Sequence, residues 1–369
     1  MMESKLGDAD SVIVTGSNLK NQAEKAAQKN PDQLDAYLFD ITLLLAIQNE
    51  DGIPQLPAGY RARPLHSKDI DMNYFALLEQ EEDSFHLDKK AFTEKWGIII
   101  ATVTLVIELK YIHALGTRGR VESLIVDSNH RGFGLERVLG TYAFKLARLL
   151  SVYKVTVGCS DNLIALFENC GFRKDIGNNV MSQHLDSFCK EEELAKCFRS
   201  EGVELFNASI LQELDLSKMP ELRQNLKVRP LRVDDWGRGY LNVLEQLTVV
   251  GAVLETDYRE RFKSMQSSTL SRYFVVVIED LDLKRLVASG TLYIDLHGNE
   301  AHGHFEDIVV SENYRGRKLG QYLCTCLLEL ARRVGIRRLT LEARDRVLEF
   351  YKKYGYRRVA NLMSYKFCE

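Results

Sequence analysis

The fold of this 369-residue chain is decided by the stretch Phe305-Glu-Asp-Ile-Val-Val-Ser-Glu-Asn-Tyr-Arg-Gly-Arg-Lys-Leu-Gly320. Its apolar start predicts a buried strand, the Arg-Gly pair predicts a turn, and the residues that follow have the spacing of an amphipathic helix. The same design occurs earlier, as Val121-Glu-Ser-Leu-Ile-Val-Asp-Ser-Asn-His-Arg-Gly-Phe-Gly-Leu-Glu136. The two copies predict an α/β chain that arose by duplication.

Matching residues fix how the two copies align. The offset is 166 between Arg63 and Arg229 and rises to 187 between Leu105 and Leu292, so the second half carries 21 more residues in this interval. We expect the first half to lack most of a strand and the end of a helix. Beyond this interval the offset falls to 184, which shortens a predicted hairpin of the second half by 3 residues.

The repeat also predicts the domain organisation, because each half is long enough to bury its own core. We expect a flexible N-terminal tail, a degenerate first domain, a charged linker and a catalytic second domain, over residues 1–35, 36–188, 189–203 and 204–369.

Composition narrows the function. The net charge of −3 gives no general attraction to nucleic acid or to an anionic membrane. The longest apolar stretch, residues 97–107, is too short to span a bilayer, and the N-terminus lacks the pattern of a secretory signal. We therefore expect a cytoplasmic location. Seven cysteines without disulfide or metal spacing predict reduced thiols and no metal site.

The turn Arg315-Gly-Arg-Lys-Leu-Gly320 has the features of an anion site. Backbone N–H groups at a helix start point toward one place, and the helix dipole adds positive potential there. A glycine allows a pyrophosphate to approach closely, because it has no Cβ. The first half has Glu136 in place of the last glycine, and a carboxylate opposes anion binding. A plain loop is the alternative for this motif taken alone.

Three motifs carry a resemblance to a known family. They are Glu306-Asp-Ile-Val-Val310, Tyr314-Arg-Gly-Arg-Lys-Leu-Gly320 and Phe350-Tyr-Lys-Lys-Tyr-Gly-Tyr356. Together they resemble the glucosamine 6-phosphate N-acetyltransferases of the GNAT superfamily, over nearly all of Leu205 to Phe367. The first half resembles them at Ile107-Glu-Leu-Lys-Tyr-Ile-His113 and at Gly119-Arg-Val-Glu122.

The resemblance implies the fold and the reaction. Both domains would have the mixed-sheet GNAT fold of acyltransferases. An acetyl group would pass directly from acetyl-CoA to the amine of a hexosamine phosphate, without a metal. The coenzyme would be held by a strand backbone and the phosphate turn, at Ile308, Val309, Val310, Arg315, Gly316, Arg317, Lys318, Leu319 and Gly320.

The resemblance also implies the substrate and catalytic residues. Glu306 and the catalytic Asp307 would contact the sugar, and Thr248 and Lys366 would lie near its phosphate, although the family has arginine in place of Lys366. The catalytic residues would also include Glu342, whose backbone carbonyl accepts a hydrogen bond from the attacking amine, and Tyr351, whose hydroxyl protonates the departing thiolate.

Each of these residues also has a structural interpretation. Glu306 and Asp307 could be surface carboxylates beside a strand, and Tyr351 could be an aromatic core residue. The first copy favours the functional interpretation. It is not expected to catalyse a reaction, and it lacks the equivalent functional groups. There Asp307, Gly320 and Tyr351 are matched by Ser123, Glu136 and Phe167.

The first half nevertheless keeps elements that resemble the family's sugar-contacting segments, namely Lys110, Tyr111, Ile112, Tyr153 and Lys154. The family enzyme is a homodimer with sites near the subunit interface. We therefore hypothesise an intramolecular pseudo-dimer with one working site, in which the first domain contacts the phosphate end of the substrate. The alternative is that the hairpin persists for domain packing alone. Further association of chains stays open.

Three functions remain in view. The first is acetylation of glucosamine 6-phosphate on the route to UDP-N-acetylglucosamine. The second is acetylation of another amine, since Val347 and the shortened hairpin alter the pocket. The third is a catalytically inactive regulator that binds acetyl-CoA.

Overall fold

The computed structural model describes residues 10–17, 41–48, 53–58, 60–65, 69, 74, 77, 99–185, 202–268, 271–297 and 300–367. The predicted linker falls almost entirely outside these residues. The chain divides into two compact units, with residues 1–108, 117–175 and 361–369 in unit 1 and residues 109–116 and 176–360 in unit 2.

Unit 1 contains a mixed sheet with the strand order β2-β1-β3-β4-β5-β12. Its strands within the described residues are β1 Asp10–Ser17, β2 Tyr60–Pro64, β3 Ile99–Leu109, β4 Thr117–Val126, β5 Lys154–Cys159 and the part of β12 (Arg357–Lys366) from Asn361 onward. Its helices there are α1 Ile41–Gln48, α2 Leu135–Leu149 and α3 Ile164–Asn169.

The strand β1 lies within the predicted flexible tail, so that expectation is corrected for residues 10–17. It pairs in parallel with β2 on one side and with β3 on the other. The rest of residues 1–35 lies outside the described residues. The 21-residue shortfall of the first half predicts a missing strand at this place, and β1 supplies a strand there from the N-terminus.

Unit 2 also has a mixed sheet, in the order β6-β11-β10-β9-β8-β7. Its strands are β6 Arg173–His184 from Ile176 onward, β7 Leu226–Pro230, β8 Ser271–Asp280, β9 Arg285–His297, β10 Glu300–Val310 and β11 Arg338–Arg344. Its helices in the described part of the chain are α4 Ser209–Gln212, α5 Tyr240–Glu245, α6 Glu255–Ser267, α7 Leu319–Arg333 and α8 Leu348–Lys352.

Each unit is completed by residues from the other half of the sequence. The segment Asn361–Lys366 of β12 pairs antiparallel with β5 in unit 1, and the segment of β6 from Asn178 to His184 pairs antiparallel with β11 in unit 2. The segment Leu109–Gly116 also belongs to unit 2. The compact units therefore differ from the predicted boundaries 36–188 and 204–369, because backbone pairing assigns these segments to the opposite unit.

The cores confirm the predicted α/β class. In unit 1, α2 buries an apolar stripe that includes Leu135, Leu139 and Leu146. In unit 2, α7 buries the equivalent stripe, which includes Leu323 and Leu327. Both helices follow the Arg-Gly turn, as the sequence predicts.

Four cysteines are described, and all four are buried free thiols, at Cys159, Cys170, Cys324 and Cys326. Among the described helices, none is long and apolar enough to cross a membrane.

Candidate active site

The predicted phosphate turn leads from β10 into α7 in unit 2. Gly316 and Lys318 adopt left-handed backbone angles, with φ of 74° and 62°. The turn borders a groove of about 470 Å³ lined by Val310, Tyr314, Arg315, Gly316, Lys318, Leu319, Gly320, Gln321 and Phe350. Since α7 is 15 residues long, its N–H groups and dipole give the groove positive potential.

Gly320 has no internal structural reason to be a glycine. Its φ is not left-handed, and within the described residues a Cβ there would meet only Val310 Cγ2, at the ordinary contact distance of 3.9 Å. Glycine also disfavours a helix relative to alanine. Gly320 lines the groove, where its bare backbone leaves the start of α7 accessible.

Unit 1 contains the same turn with different chemistry. Arg131 donates through Nε to the Val126 carbonyl at 3.3 Å, as Arg315 does to the Val310 carbonyl in unit 2 at 3.2 Å. Glu136 occupies the first turn of α2. The first copy has therefore kept the backbone of the turn and placed a carboxylate at its mouth.

A β-bulge presents the two predicted sugar-contacting carboxylates. The β9–β10 ladder shifts between Glu306 and Val309, and Asp307 has a φ of 51°. On the other edge of β10, the described pairing with β11 ends at Phe305 and Leu341. The backbones of residues 308–310 and of Glu342 therefore follow the point where these two strands stop pairing, which is where a pantetheine arm could hydrogen-bond to a strand.

Lys110 contacts both carboxylates within unit 2. Its ammonium Nζ lies 3.2 Å from Glu306 Oε2 and 3.6 Å from Asp307 Oδ2. The exposed fractions of the Lys110, Glu306 and Asp307 side chains are 5%, 9% and 17%, so the cluster is largely shielded from water. A neighbouring cleft is lined by Leu109, Lys110, Tyr111, Tyr240, Met265, Tyr273, Val275, Thr291, Tyr293 and Asp307.

The segment Leu109–Gly116 docks on the loop that carries Thr248. His113 and Ala114 donate backbone hydrogen bonds to the carbonyls of Val249 and Val250, at 3.1 Å and 2.6 Å. Arg261 of α6 donates to the Leu115 carbonyl. Three successive left-handed residues, 113–115, form the tip, with φ between 50° and 59°. These contacts hold the tip against the part of the loop that directly follows Thr248, the residue predicted to bind the sugar phosphate.

Tyr351 lies on α8 and is half-buried among aromatic rings. Its ring centroid is 5.2 Å from that of Phe350 and 6.1 Å from that of Tyr356. Burial, with smaller contributions from Cys324 and Glu306, raises the pKa of Tyr351 above its ordinary value. The hydroxyl therefore keeps its proton at neutral pH and is available as an acid.

The predicted substrate residues divide between the units. Lys110, Tyr111 and Ile112 were assigned to the first domain but belong to unit 2. Lys366 was assigned to the catalytic domain but belongs to unit 1, where it is exposed and pairs across strands with Lys154. The reason is the strand exchange described above.

Two further predicted residues lie in unit 1. The Tyr153 carbonyl accepts a backbone hydrogen bond from Phe367, at 2.9 Å. Lys154 forms an ion pair with Asp175, at 3.3 Å.

Sequence reasoning missed three of the four tyrosines that line the cleft, Tyr240, Tyr273 and Tyr293, and it named the fourth, Tyr111, as a substrate residue. Tyr240 is 2% exposed, and burial together with the charge of Asp307 raises its pKa. Tyr111 packs against it, with ring centroids 5.3 Å apart. The repeat aligns Tyr240 with Tyr74, but an aromatic residue kept in both halves is equally typical of a core position. The residue patterns therefore pointed to Lys110, Tyr111 and Asp307 of the cleft but not to its other tyrosines.

Comparisons with known proteins identify the family of the chain. Residues 235–356 match the acetyltransferase (GNAT) family. A probable glucosamine 6-phosphate N-acetyltransferase of Drosophila melanogaster is 33% identical over 171 residues, which cover 42% of this chain and 77% of that protein.

Two solved structures are also similar. Glucosamine-6-phosphate N-acetyltransferase from Arabidopsis thaliana is 27% identical with a TM-score of 0.35, over 37% of this chain and 95% of that one. A tandem GNAT protein from the clavulanic acid biosynthesis pathway is 14% identical with a TM-score of 0.43, over 74% and 81%. From the family match and the extent of the Drosophila relative that it covers, this chain belongs to the acetyltransferase (GNAT) family and is an acyltransferase.

Proposed function

We propose that the chain transfers the acetyl group of acetyl-CoA to the amine of D-glucosamine 6-phosphate, giving N-acetylglucosamine 6-phosphate and CoA. The observation that carries the proposal is that the phosphate turn, the bulge with its two carboxylates and Tyr351 all lie in unit 2. The substrate is taken from the names of the relatives. We further propose that the product enters the route to UDP-N-acetylglucosamine, in the cytoplasm.

The coenzyme site would be built from backbone and from exposed cations. Acetyl-CoA, when bound, supplies an acetyl group activated as a thioester. The turn Arg315–Gly320 would hold its pyrophosphate, and the backbone of Ile308, Val309 and Val310 would bind its pantetheine arm. Arg315, Arg317 and Lys318 are exposed and surround the start of α7, so they add positive charge to the N–H groups of the helix.

The acceptor site would use the carboxylates and the backbone of β11. Glu306 and Asp307 accept hydrogen bonds from the sugar hydroxyls, and the Glu342 carbonyl accepts one from the attacking amine. Tyr351 then gives its proton to the departing sulfur. The Tyr351 hydroxyl is protonated at neutral pH, as this donation requires.

The phosphate of the sugar requires cationic or hydroxyl partners. Thr248 is half-buried beside the docked tip of the segment Leu109–Gly116. The proposal also predicts that Lys366, Tyr153 and Lys154 contact the phosphate of the sugar. It further predicts an intramolecular pseudo-dimer with one working site.

A thiol-release assay tests the function. We expect turnover with glucosamine 6-phosphate, and about 10- to 100-fold lower kcat/KM with glucosamine, because a charge-assisted contact to phosphate contributes about 1.5 to 3 kcal/mol. Equal or better turnover with glucosamine or spermidine would point to a different acceptor.

A reciprocal pair of variants tests the coenzyme site. Gly320→Glu gives the second turn the glutamate that the first turn has at Glu136, and it should abolish turnover and coenzyme binding. Glu136→Gly is the matched control in unit 1. It should leave the rate unchanged, because the first copy still lacks the counterparts of Asp307 and Tyr351. If Gly320→Glu retained full turnover, the assignment of the turn would be wrong.

A further inference from the structure

The cluster of Lys110, Glu306 and Asp307 contains one cation and two carboxylates. The ammonium lies within hydrogen-bonding distance of Glu306, at 3.2 Å, and within ion-pair distance of Asp307, at 3.6 Å. All three side chains are mostly shielded from water, so their charges are weakly screened. With Lys110 the cluster has a formal charge of −1, and without it the charge would be −2.

Two tyrosines near the cluster are uncharged at neutral pH. Tyr240 of α5 lies near both Lys110 and Asp307, and burial keeps its hydroxyl protonated. Tyr351 of α8 lies near Glu306 and is protonated for the same reason. Asp235, beyond Tyr240, is bound by the Arg229 guanidinium at 2.7 Å and 2.8 Å.

The neighbouring cleft contains charged side chains of the same cluster. The two described strands that contribute tyrosines to it, β8 and β9, provide Tyr273 and Tyr293. Among the described side chains that line the cleft, the formally charged ones are Lys110 and Asp307. The balance between these charges therefore sets the local potential.

That potential matters for an amine substrate. An amino sugar arrives largely as an ammonium ion, and its nitrogen becomes nucleophilic after it releases one proton to solvent. The nitrogen then forms a bond to the acetyl carbon, the carbon–sulfur bond breaks, the nitrogen loses a second proton and the sulfur gains one. A pair of carboxylates without a cation would stabilise the ammonium form and slow the first of these steps.

We propose that Lys110 is a charge-balancing residue, whose ammonium offsets Glu306 and Asp307 and so favours the uncharged, nucleophilic form of the bound substrate amine. Lys110 acts through the two carboxylates and does not touch the reacting atoms. This assignment rests on the proposed function, and it differs from the phosphate contact expected from the sequence.

The dependence of kcat on pH tests the proposal, because kcat reports groups that titrate in the complex with substrate. Both substrates are kept saturating. In Lys110→Met, which keeps the length of the side chain and removes its charge, the acid limb of kcat should move up by about one pH unit. At one pH unit below the midpoint of the wild-type acid limb, kcat of the variant, expressed relative to its own plateau at high pH, should be about tenfold lower than that of the wild type. Lys110→Arg should keep the wild-type limb.

Two further variants separate charge from docking. Glu306→Gln removes one carboxylate and should move the limb to lower pH, opposite to Lys110→Met. It also serves as the test if Lys110→Met does not fold. Arg261→Met removes the donor to the Leu115 carbonyl and should lower the melting temperature without moving the limb.

The outcomes distinguish a failure of the role of Lys110 from a failure of the proposed function. The role of Lys110 would be overturned, and the proposed function would stand, if Lys110→Met were active and its acid limb did not move. The same conclusion would follow if the limb moved equally in Arg261→Met. An unmoved or raised limb in Glu306→Gln would overturn it as well. Failure of the wild-type chain to acetylate glucosamine 6-phosphate would overturn the proposed function, and the assignment of Lys110 with it.

Discussion

Ser123 and Asp307 occupy the same position in the two copies, and both have left-handed backbone angles, with φ of 46° and 51°. The strained turn of the strand has therefore survived in the copy that lost the carboxylate. Strained backbone of this kind costs about 1 to 3 kcal/mol and persists only where the surrounding structure imposes it. At the scale of the residue, the backbone of the site is a property of the fold, and the chemistry depends on a few side chains.

Tyr351→Phe tests one of these side chains, because it copies Phe167 of the first half. Loss of a positioned proton donor should lower kcat about 10²- to 10⁴-fold and leave the KM for acetyl-CoA nearly unchanged. Since burial raises the pKa of Tyr351, we also expect the wild-type kcat to show no loss from this group below about pH 10. Steady-state kinetics across pH measures both effects.

The control for this substitution is Tyr354→Phe, which removes a hydroxyl that donates to the Gln321 carbonyl at 3.4 Å. It should change kcat little. Similar losses in both variants would contradict a specific role for Tyr351.

The sequence predicted Glu306, Asp307 and Tyr351 because they lie in short motifs whose spacing is visible along the chain. It did not predict that Lys110 would pair with the two carboxylates, since 196 residues separate Lys110 from Glu306. Contacts of this range depend on the docking of whole elements. Tyr240, Tyr273 and Tyr293 of the cleft were missed for the same reason, because each comes from a different element.

At the scale of the element, β1 shows how the first half compensates for its shorter sequence. In unit 2, β8 pairs antiparallel with both of its neighbours, β7 and β9. In unit 1, β1 lies between β2 and β3 in the same order but runs parallel to both. The 21-residue gap predicted the missing strand. Its replacement was not predicted, because the apolar run of Val12 to Val14 is short and lies in a polar segment.

Val12→Pro tests this strand. Val12 pairs with Ala62 of β2 and with Ala101 of β3, so it lies inside the sheet. Proline removes a ladder donor and is poorly tolerated within a central strand, and we expect the free energy of unfolding of unit 1 to fall by about 1 to 3 kcal/mol. Chemical denaturation combined with hydrogen exchange of β3 amides measures the change. Val12→Ile is the control, and equal stability of the two variants would contradict the pairing.

At the scale of the whole molecule, two buried methionines mark the exchange of strands. Met363 comes from the end of the chain and is fully buried in the core of unit 1. Met181 comes from the first half, is also fully buried, and lies in unit 2 opposite Leu341. An alternating apolar pattern predicts a strand but does not say which sheet it joins. The sequence therefore predicted two α/β halves and missed the exchange between them.

Replacing each methionine by alanine tests the exchange. Both substitutions should destabilise by about 2 to 5 kcal/mol, because each removes a fully buried side chain. Met363→Ala should speed hydrogen exchange in β5 of unit 1, and Met181→Ala should speed it in β11 of unit 2. The two variants are matched controls for each other. The described pairing would be contradicted if Met363→Ala affected unit 2 and Met181→Ala affected unit 1.

The pairing of β12 with β5 also has a consequence for biosynthesis. The N-terminal half emerges from the ribosome first, yet Asn361, in the strand that completes its sheet, is translated 202 residues after its partner Cys159. At about 5 to 20 residues per second, the edge of β5 waits roughly 10 to 40 seconds for its neighbour. An exposed strand edge invites pairing with other chains. Nascent chains halted before residue 361 should therefore need chaperone protection, and synthesis of residues 361–366 should remove that need.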